Sequence, residues 1–479
     1  MVVGEMAHER ELVIIGGGPG GYHAAIRAAQ LGKMVTLIEK DQLGGICLNK
    51  GCIPSKLLTS RAKKWRDLLS ADEMGFDISS ISLNAEKHTS YKNKIINQLK
   101  QGIEALCKAN KVEIIKGNAF FMSENRIGVE QADSFEIYQF ENAIIATGST
   151  PVNWPGISFD GKKILDSWTI SSLKEIPQHL AIYGSDTNAL EMAMAFRALG
   201  AEITLLLEPG KNDFGFDSSI NRELKRIFKK EKISIIKECE LIGASEESKT
   251  ISLEYTLNGT EKVLSCSHLF LSTGVNPNIS ELGIERLGME LTEEGFISVD
   301  RQCRTSLMHI FAVGDITAGP PLAVKAISQG KTAAEAIAGL NTESDLRYLP
   351  KVIHTLPPIA SVGMTEEEAE KEGYVLQIGQ FPLAANGYTS LSGKRDGFVK
   401  VISDQKTEVI LGIHIIGEGA IEMISAGTIS LEIAARDEDM TFPLYPHPSI
   451  NEALLEAVEQ LKGRAVHVAP LRKQEKVKL

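Results

Sequence analysis

A strand–glycine–helix unit that occurs twice constrains this chain more than any other feature. From Glu11 the sequence reads ELVIIGGGPGGYHAAIRAAQLGKMVTLIEK. The apolar run Leu12 to Ile15 has the character of a strand buried on both faces. It leads directly into Gly16, Gly18 and Gly21, spaced G-x-G-x-x-G, and then into an alanine-rich helical stretch. A second apolar run from Val35 ends at the acid Glu39. In such a unit the glycines allow a tight turn, let backbone approach a pyrophosphate and let the helix pack close to the strand. The phosphates sit at the helix N-terminus, where unpaired N–H groups and the dipole favour anions. Glu39 stands where a carboxylate accepts hydrogen bonds from an adenosine ribose.

The second copy begins at His179 and reads HLAIYGSDTNALEMAMAFRALGAEITLLLEPG. It aligns with the first without a gap: Gly184 falls on Gly16, Leu199-Gly200 on Leu31-Gly32, and Ile203-Thr204 on Val35-Thr36. The repeat predicts two nucleotide-binding domains and therefore two dinucleotides. The second copy is altered, however. Asp186 replaces Gly18, Ala189 replaces Gly21 and Leu207 replaces Glu39. The nearest acid, Glu208, comes one residue later, which on a strand is the opposite face. Asp186 brings a carboxylate to where a pyrophosphate needs bare N–H groups, a repulsion of about 1–4 kcal/mol. A Rossmann fold survives these changes, and two readings of it stay open. One is a working NAD site with Gly184, Glu191, Glu208 and Gly274 as candidate contacts. The other is a domain kept for architecture.

Shortly after Glu39 the chain reads LGGICLNKGCIPSK, from Leu43 to Lys56, with Cys47 and Cys52 five positions apart. On a regular helix such a pair has Cα atoms roughly 8–9 Å apart, whereas a disulfide needs about 4.4–6.8 Å. The pair bridges only if this turn is distorted, and Gly51 makes distortion cheap. Six cysteines in 479 residues do not make a disulfide scaffold. A bridge between these two is therefore read as redox-active, working by thiol–disulfide exchange. The competing readings are a metal-ligand pair, which lacks a second pair, and two inert thiols. No metal is expected. Cys107, Cys239, Cys266 and Cys303 stand alone and read as packing thiols.

The net charge of −11 makes nucleic acid and anionic membranes unlikely partners. No run of roughly 18 apolar residues is present, so no transmembrane helix is predicted. Met1 to Glu11 is polar and lacks a signal core, and a cytoplasmic location is the expectation.

The first glycine turn, the run GGICLNKGCIPSK and the motifs downstream together resemble the class I flavin disulfide reductases. Within them the wording of the cysteine motif resembles the branch that oxidises dihydrolipoamide. The resemblance extends from about Leu12 to about Ala465. It implies FAD on the first unit and NAD on the second. It implies that Cys47 exchanges with substrate and that Cys52 faces the flavin. Lys56 would lie near the flavin, where a cation stabilises the reduced, anionic ring. Thr147-Gly148 in NAIIATGST resembles the strand end that closes the first part of the FAD domain. LFLSTGVNPN, with Gly274, resembles its counterpart after the second unit. Asp315 in IFAVGD matches the residue that holds the FAD ribitol, and Ala323 opens a helix resembling the one beneath the isoalloxazine. In YPHPSINEA, His447 and Glu452 match the family's H-P-x-x-x-E base pair, the carboxylate fixing the imidazole tautomer. In the family this pair enters the active site of the other subunit, which implies a homodimer.

The fold class expected is α/β: two Rossmann-like dinucleotide-binding domains, for FAD and NAD, and an α+β C-terminal dimerisation domain. The expected division is an FAD-binding first part at 1–150 and an NAD-type Rossmann domain at 151–275. A central region at 276–350 completes the FAD domain. An interface domain at 351–465 and a flexible tail at 466–479 follow. The function implied is oxidation of dihydrolipoamide, or a similar small dithiol, through a redox-active disulfide and FAD, with electrons passed to NAD. Two alternatives stand beside it. One is the same dithiol chemistry with weak NAD use and another electron acceptor. The other is a non-catalytic FAD-binding paralogue. The partners implied are a lipoyl or other dithiol substrate, a second copy of the chain, and a 2-oxoacid dehydrogenase complex.

Overall fold

The computed structural model describes residues 7–211, 213–247 and 250–469. Strands β1 (Ala7–Ile15), β2 (Val35–Glu39), β3 (Glu113–Lys116), β4 (Asn118–Ser123), β5 (Arg126–Glu130) and β6 (Phe135–Ile145) form one sheet in the order β3-β2-β1-β6-β5-β4. Ile310–Ala312 joins it in parallel beside β6. Strand β1 is parallel to both neighbours, with Leu12 opposite Val35 and Asn142. Leu12, Val13, Ile14 and Ile15 are all buried, as a central parallel strand covered on both faces requires. The faces alternate. Leu12 and Ile14 pack with Ala24, Ala25 and Ala28 of helix α1 (Pro19–Gln30). Val13 and Ile15 pack with Phe121, Tyr138 and Phe140 on the other side. After β2 come α2 (Gly45–Asn49), α3 (Cys52–Leu69) and α4 (Ala85–Ala109).

Strand β7 (Ser149–Pro151) runs antiparallel to Val275–Pro277. A second parallel sheet contains β8 (Ile164–Leu165), β9 (His179–Tyr183), β10 (Glu202–Leu206), β11 (Ser234–Ile236) and His268–Leu271. Its order is β11-β10-β9, then His268–Leu271, then β8. The environment of β9 thus repeats that of β1: the strand before the glycine turn lies between the strand after the helix and a later strand. Helices α5 (Thr187–Ala198) and α6 (Ser218–Lys230) follow β9 and β10 in sequence.

The chain divides into two compact units. One runs to Gly184 and includes Leu241–Thr256 and Glu261–Leu346; the other takes Ser185–Glu240, Leu257–Thr260 and the chain from Arg347. The second unit has a five-stranded antiparallel sheet in the order Lys351–Ile353, Ile359–Gly363, Ile410–Ile416, Phe398–Asp404, Leu376–Pro382. Ala360, Val362, Val399, Val401, Ile413 and Ile415 pack against Met423, Ile424, Leu454 and Val458 from the helices Ala420–Glu432 and Glu452–Gln460. On the sheet's other face His414 is in register with Ser361 and Lys400. The buried Lys400 Nζ donates to both carboxylate oxygens of Asp217, at 2.8 and 2.9 Å, and to Glu366 Oε2 at 2.6 Å. Burial alone raises the Asp217 pKa. The bonds from Lys400 and Ser219 outweigh it and hold the carboxyl far below the usual range.

The tail expected to be flexible from 466 is tied at its start. The Val466 and His467 N–H groups donate to Glu456 Oε2 at 3.0 and 3.2 Å, and His467 Nδ1 lies 2.6 Å from Glu456 Oε1. One carboxylate that engages three groups extends order past the last helix. The remainder of that tail, 470–479, lies outside the described residues.

Candidate active site

The first glycine turn is shaped by close backbone approach. Gly16 has φ +101°, and a Cβ there would sit 2.4 Å from the Ala146 carbonyl oxygen. A Cβ on Gly21 would sit 1.8 Å from the Gly16 oxygen, so only glycine lets α1 start this near the strand. Gly18 is the N-cap of α1 and offers no side-chain cap, which leaves the first-turn donors to a ligand. At the end of β2, Glu39 Oε2 accepts from the Gly17 N–H at 2.6 Å and Oε1 from the Asp41 N–H at 2.7 Å. The carboxylate is therefore fixed beside the turn. A cleft lined by Glu39, Asp41, Gln42, Leu43, Lys100 and Lys116 adjoins it. This set fits the adenosine and pyrophosphate of FAD: uncapped N–H groups for the phosphates, an oriented acid for the ribose.

The dithiol lies where the chain leaves this turn. α2 stops at Asn49 and α3 starts at Cys52, with Gly51 between them at φ −105°, ψ −103°. The break is a distortion of the kind that a Cys47–Cys52 bridge requires. It brings the Cys47 and Cys52 side chains into hydrogen-bond contact. That bond, with burial and the Cys52 charge, pushes the Cys47 thiol well above its ordinary value; Lys56 opposes the shift and Asp315 adds to it. Cys47, Cys52, Lys56 and Asp315 are thus one electrostatic group in the first unit. The other four cysteines are buried. Burial pushes Cys239 and Cys266 up to about 11 and Cys303 to about 12, as inert packing thiols require.

Asp315 Oδ2 accepts from Ser149 Oγ at 2.7 Å. Burial raises its pKa, against the Ser149 bond and the Lys325 charge. Lys325 is fully buried in α7 (Ala323–Ile337), the helix that Ala323 opens, and its Nζ donates to the Thr317 carbonyl at 2.8 Å. Thr147 is locked reciprocally: its Oγ1 donates to the Asn278 carbonyl at 2.8 Å, and Asn278 Nδ2 donates to the Thr147 carbonyl at 3.0 Å. Gly148, at φ +69°, accepts from the Asn278 N–H at 2.9 Å. Sequence reasoning did not single out Ser149, Asn278 or Lys325. Asn278 lies four positions past Gly274 and Lys325 two past Ala323, so proximity to motifs was the available signal.

In the second copy Gly184 keeps its role, with φ +133° and room for a Cβ only 2.3 Å from the Ser272 oxygen. Asp186 is the N-cap of α5, and its Oδ1 accepts from the Ala189 N–H at 2.9 Å. Leu207 is fully buried. Glu208, expected on the opposite face, instead reaches Ser185 Oγ at 3.4 Å, at the position aligned with Gly17; β10 ends at Leu206, so strand alternation no longer governs it. Glu191, expected to contact a nucleotide, is instead turned inward: it is 1% exposed and its Oε1 accepts from the His354 N–H at 2.9 Å. An acid flanked by the buried Leu190, Met192, Ala193 and Met194 is held there by a backbone donor. Gly274, at φ +94°, accepts from the Val152 N–H at 3.1 Å.

In the second unit, His447 Nδ1 and Glu452 Oε1 are 2.8 Å apart, and Glu452 Oε2 accepts from the Ser449 N–H at 2.9 Å. Both carboxylate oxygens are committed, so the ring is held by a fixed partner. The His447 side chain is 81% exposed, which leaves its other ring nitrogen open to a substrate. The hydrogen bond to His447 holds the Glu452 carboxyl below its ordinary value.

Residues 10–330 match the family described as pyridine nucleotide-disulphide oxidoreductase, and 349–458 match the dimerisation domain of that family. The chain is 39% identical over 468 residues to a dihydrolipoyl dehydrogenase of Geobacillus stearothermophilus, covering 98% of this chain and 99% of the relative. It is 38% identical over 470 residues to one of Bacillus subtilis, covering 98% and 100%. Among solved structures, LpdA from Mycobacterium tuberculosis superposes with a TM-score of 0.88 at 26% identity, over 94% of this chain and 99% of that one. The copper(II) complex of the HOCl-induced flavoprotein disulfide reductase RclA from Escherichia coli gives 0.84 at 25% identity, with the same coverage.

Proposed function

We propose, from the premise that this chain belongs to the pyridine nucleotide-disulphide oxidoreductase family, that it oxidises dihydrolipoamide through the Cys47–Cys52 pair. The family uses FAD and NAD(P), and the chain is an oxidoreductase that acts as a homodimer on a lipoyl substrate. The observation that carries the reading is the broken helix at Gly51, which puts Cys47 and Cys52 in contact beside the first nucleotide turn.

In this reading Glu452 fixes the tautomer of His447, so that the exposed ring nitrogen takes the proton of a substrate thiol. The substrate thiolate attacks Cys47 in the Cys47–Cys52 disulfide, and Cys52 leaves as thiolate. The second substrate thiol then displaces Cys47 and closes the substrate disulfide. The substrate loses two electrons and two protons, and the protein pair gains the two electrons. Gly16, Gly18, Gly21 and Glu39 would hold the adenosine and pyrophosphate of FAD. Asp315, braced by Ser149, would hold its ribitol, with the helix that Ala323 opens beneath the ring and Thr147-Gly148 closing the first part of the FAD domain. When bound, FAD supplies the acceptor for the electron pair. Lys56 would hold positive charge near Cys47, favouring thiolate.

The five-part division at 150, 275, 350 and 465 belongs to the same reading. So do a cytoplasmic setting and recruitment to a 2-oxoacid dehydrogenase complex; a dithiol that cycles is the kind of disulfide reducing compartments tolerate. No described helix is long and apolar enough to cross a membrane. Steady-state oxidation of dihydrolipoamide with NAD tests the proposal. Cys52→Ser abolishes turnover, and His447→Ala lowers it by about 10²–10⁴. Turnover that survives Cys52→Ser contradicts the reading.

A further inference from the structure

We propose that Asp186 sets this chain's affinity for pyridine nucleotide, because its carboxylate occupies a backbone donor that the incoming pyrophosphate needs. The inference rests on the reading that the second Rossmann copy receives that nucleotide. It adds a competitor built into the site.

The molecule contains its own control. Asp186 caps the twelve-residue helix α5 at φ −76°, ψ 179°, and Gly18 caps α1 at φ −69°, ψ −175°. The two helix ends therefore start from the same backbone conformation. They differ in that Asp186 Oδ1 accepts the Ala189 N–H at 2.9 Å, while Gly18 has no side chain to do so. A side-chain carboxylate and a pyrophosphate are both anions that satisfy the open N–H groups of a helix N-terminus. To bind there, a dinucleotide must displace Asp186 from Ala189 or share the turn with it. The first costs a hydrogen bond, and the second costs like-charge repulsion.

The ribose end of the second copy differs as well. Leu207, fully buried, stands where Glu39 presents a ribose acceptor in the first copy. Glu208 lies within reach of Ser185 Oγ, at 3.4 Å. Glu208 reaches the turn through this one long contact, whereas Glu39 is fixed by two backbone donors, so the pyrophosphate contacts beside Asp186 carry more of the binding. A ligand without a pyrophosphate escapes this competition.

The test is calorimetric binding to the FAD-loaded full chain. ADP-ribose is the probe: it carries the pyrophosphate but no nicotinamide, so it leaves the flavin oxidised. Asp186→Gly removes both cap and charge. Asp186→Asn keeps a capping side chain without the charge. The expected result is ADP-ribose bound about tenfold or more tightly by Asp186→Gly, with a smaller gain for Asp186→Asn and adenosine binding level in both. If Asp186→Gly fails to fold, the gain in Asp186→Asn decides the matter. ADP-ribose bound no more tightly by either variant overturns the proposal, as does adenosine that tightens in step with it. Failure of the dithiol reading shows elsewhere, as a flavin that dihydrolipoamide does not reduce, and leaves the binding result readable.

Discussion

The two glycine turns share a strand, a positive-φ glycine and a helix, and they part company over the next five residues. Gly16 and Gly184 are both closed in by the backbone of a neighbouring strand end, Ala146 in one copy and Ser272 in the other. Substitution there breaks the fold itself. The later positions are different. Gly21 admits no Cβ, because one would lie 1.8 Å from the Gly16 oxygen, whereas Ala189 carries one. Gly18 leaves α1 uncapped, and Asp186 caps α5. Glu39 is fixed by two backbone donors beside its turn, and Leu207 is sealed in the core. A duplicated nucleotide fold is kept by strand burial and the first glycine. Binding is decided at the positions of Gly18 and Glu39, where the second copy keeps its fold with Asp186 and Leu207 instead.

Copying the second turn into the first gives the largest effect. Gly18→Asp places a carboxylate on the open end of α1 and weakens FAD binding by about a hundredfold; titration of apoprotein with FAD measures it. If FAD affinity is unchanged, the contrast between the copies has no energetic content. Gly21→Ala comes next. It forces α1 away from β1, at about 1–3 kcal/mol of stability by overpacking, read as a lower midpoint in urea. The mirror change Ala189→Gly costs at most about 1 kcal/mol, through helix propensity alone. Equal losses in the two would contradict the packing difference.

A smaller effect separates the dithiol chemistry from nucleotide binding by pH. The His447 hydrogen bond holds the Glu452 carboxyl below its ordinary 4.5, with the Ser449 N–H adding to it. A lowered pKa means that the stabilisation of the Glu452 carboxylate is fully present above 4.5 and is lost as pH falls through the lowered value. Dithiol-driven reduction of the flavin therefore gains an acid limb below that pH, while ADP-ribose binding has none from this pair. Glu452→Gln removes the carboxylate charge at every pH and lowers the neutral-pH rate by about tenfold or more. A pH profile identical in the variant and the wild type would leave Glu452 with no part in the chemistry.

Both nucleotide folds were legible in the sequence, because consecutive apolar residues ending in a glycine turn are a local pattern. The dithiol was legible too: spacing showed that Cys47 and Cys52 could bridge only across a distorted turn, and Gly51 made that distortion cheap. What stayed hidden depends on residues distant in sequence. The ion trio of Lys400, Asp217 and Glu366 joins three segments that no motif links. The inward turn of Glu191 depends on a donor at His354, far along the chain. Asp186 was readable as a charge in the wrong place, but not as a cap, since its bond to Ala189 depends on the helix starting at Thr187. The polarity of the tail predicts mobility, but Glu456, one turn after Glu452, ties its start at Val466 and His467.

Electron entry through the dithiol is tested most directly by anaerobic mixing of the FAD-loaded protein with dihydrolipoamide while the flavin absorbance is followed, in wild type and Cys47→Ser. The wild-type flavin bleaches and the Cys47→Ser flavin stays oxidised if electrons enter through the Cys47–Cys52 pair. Equal bleaching in the two proteins, or none in either, would contradict it.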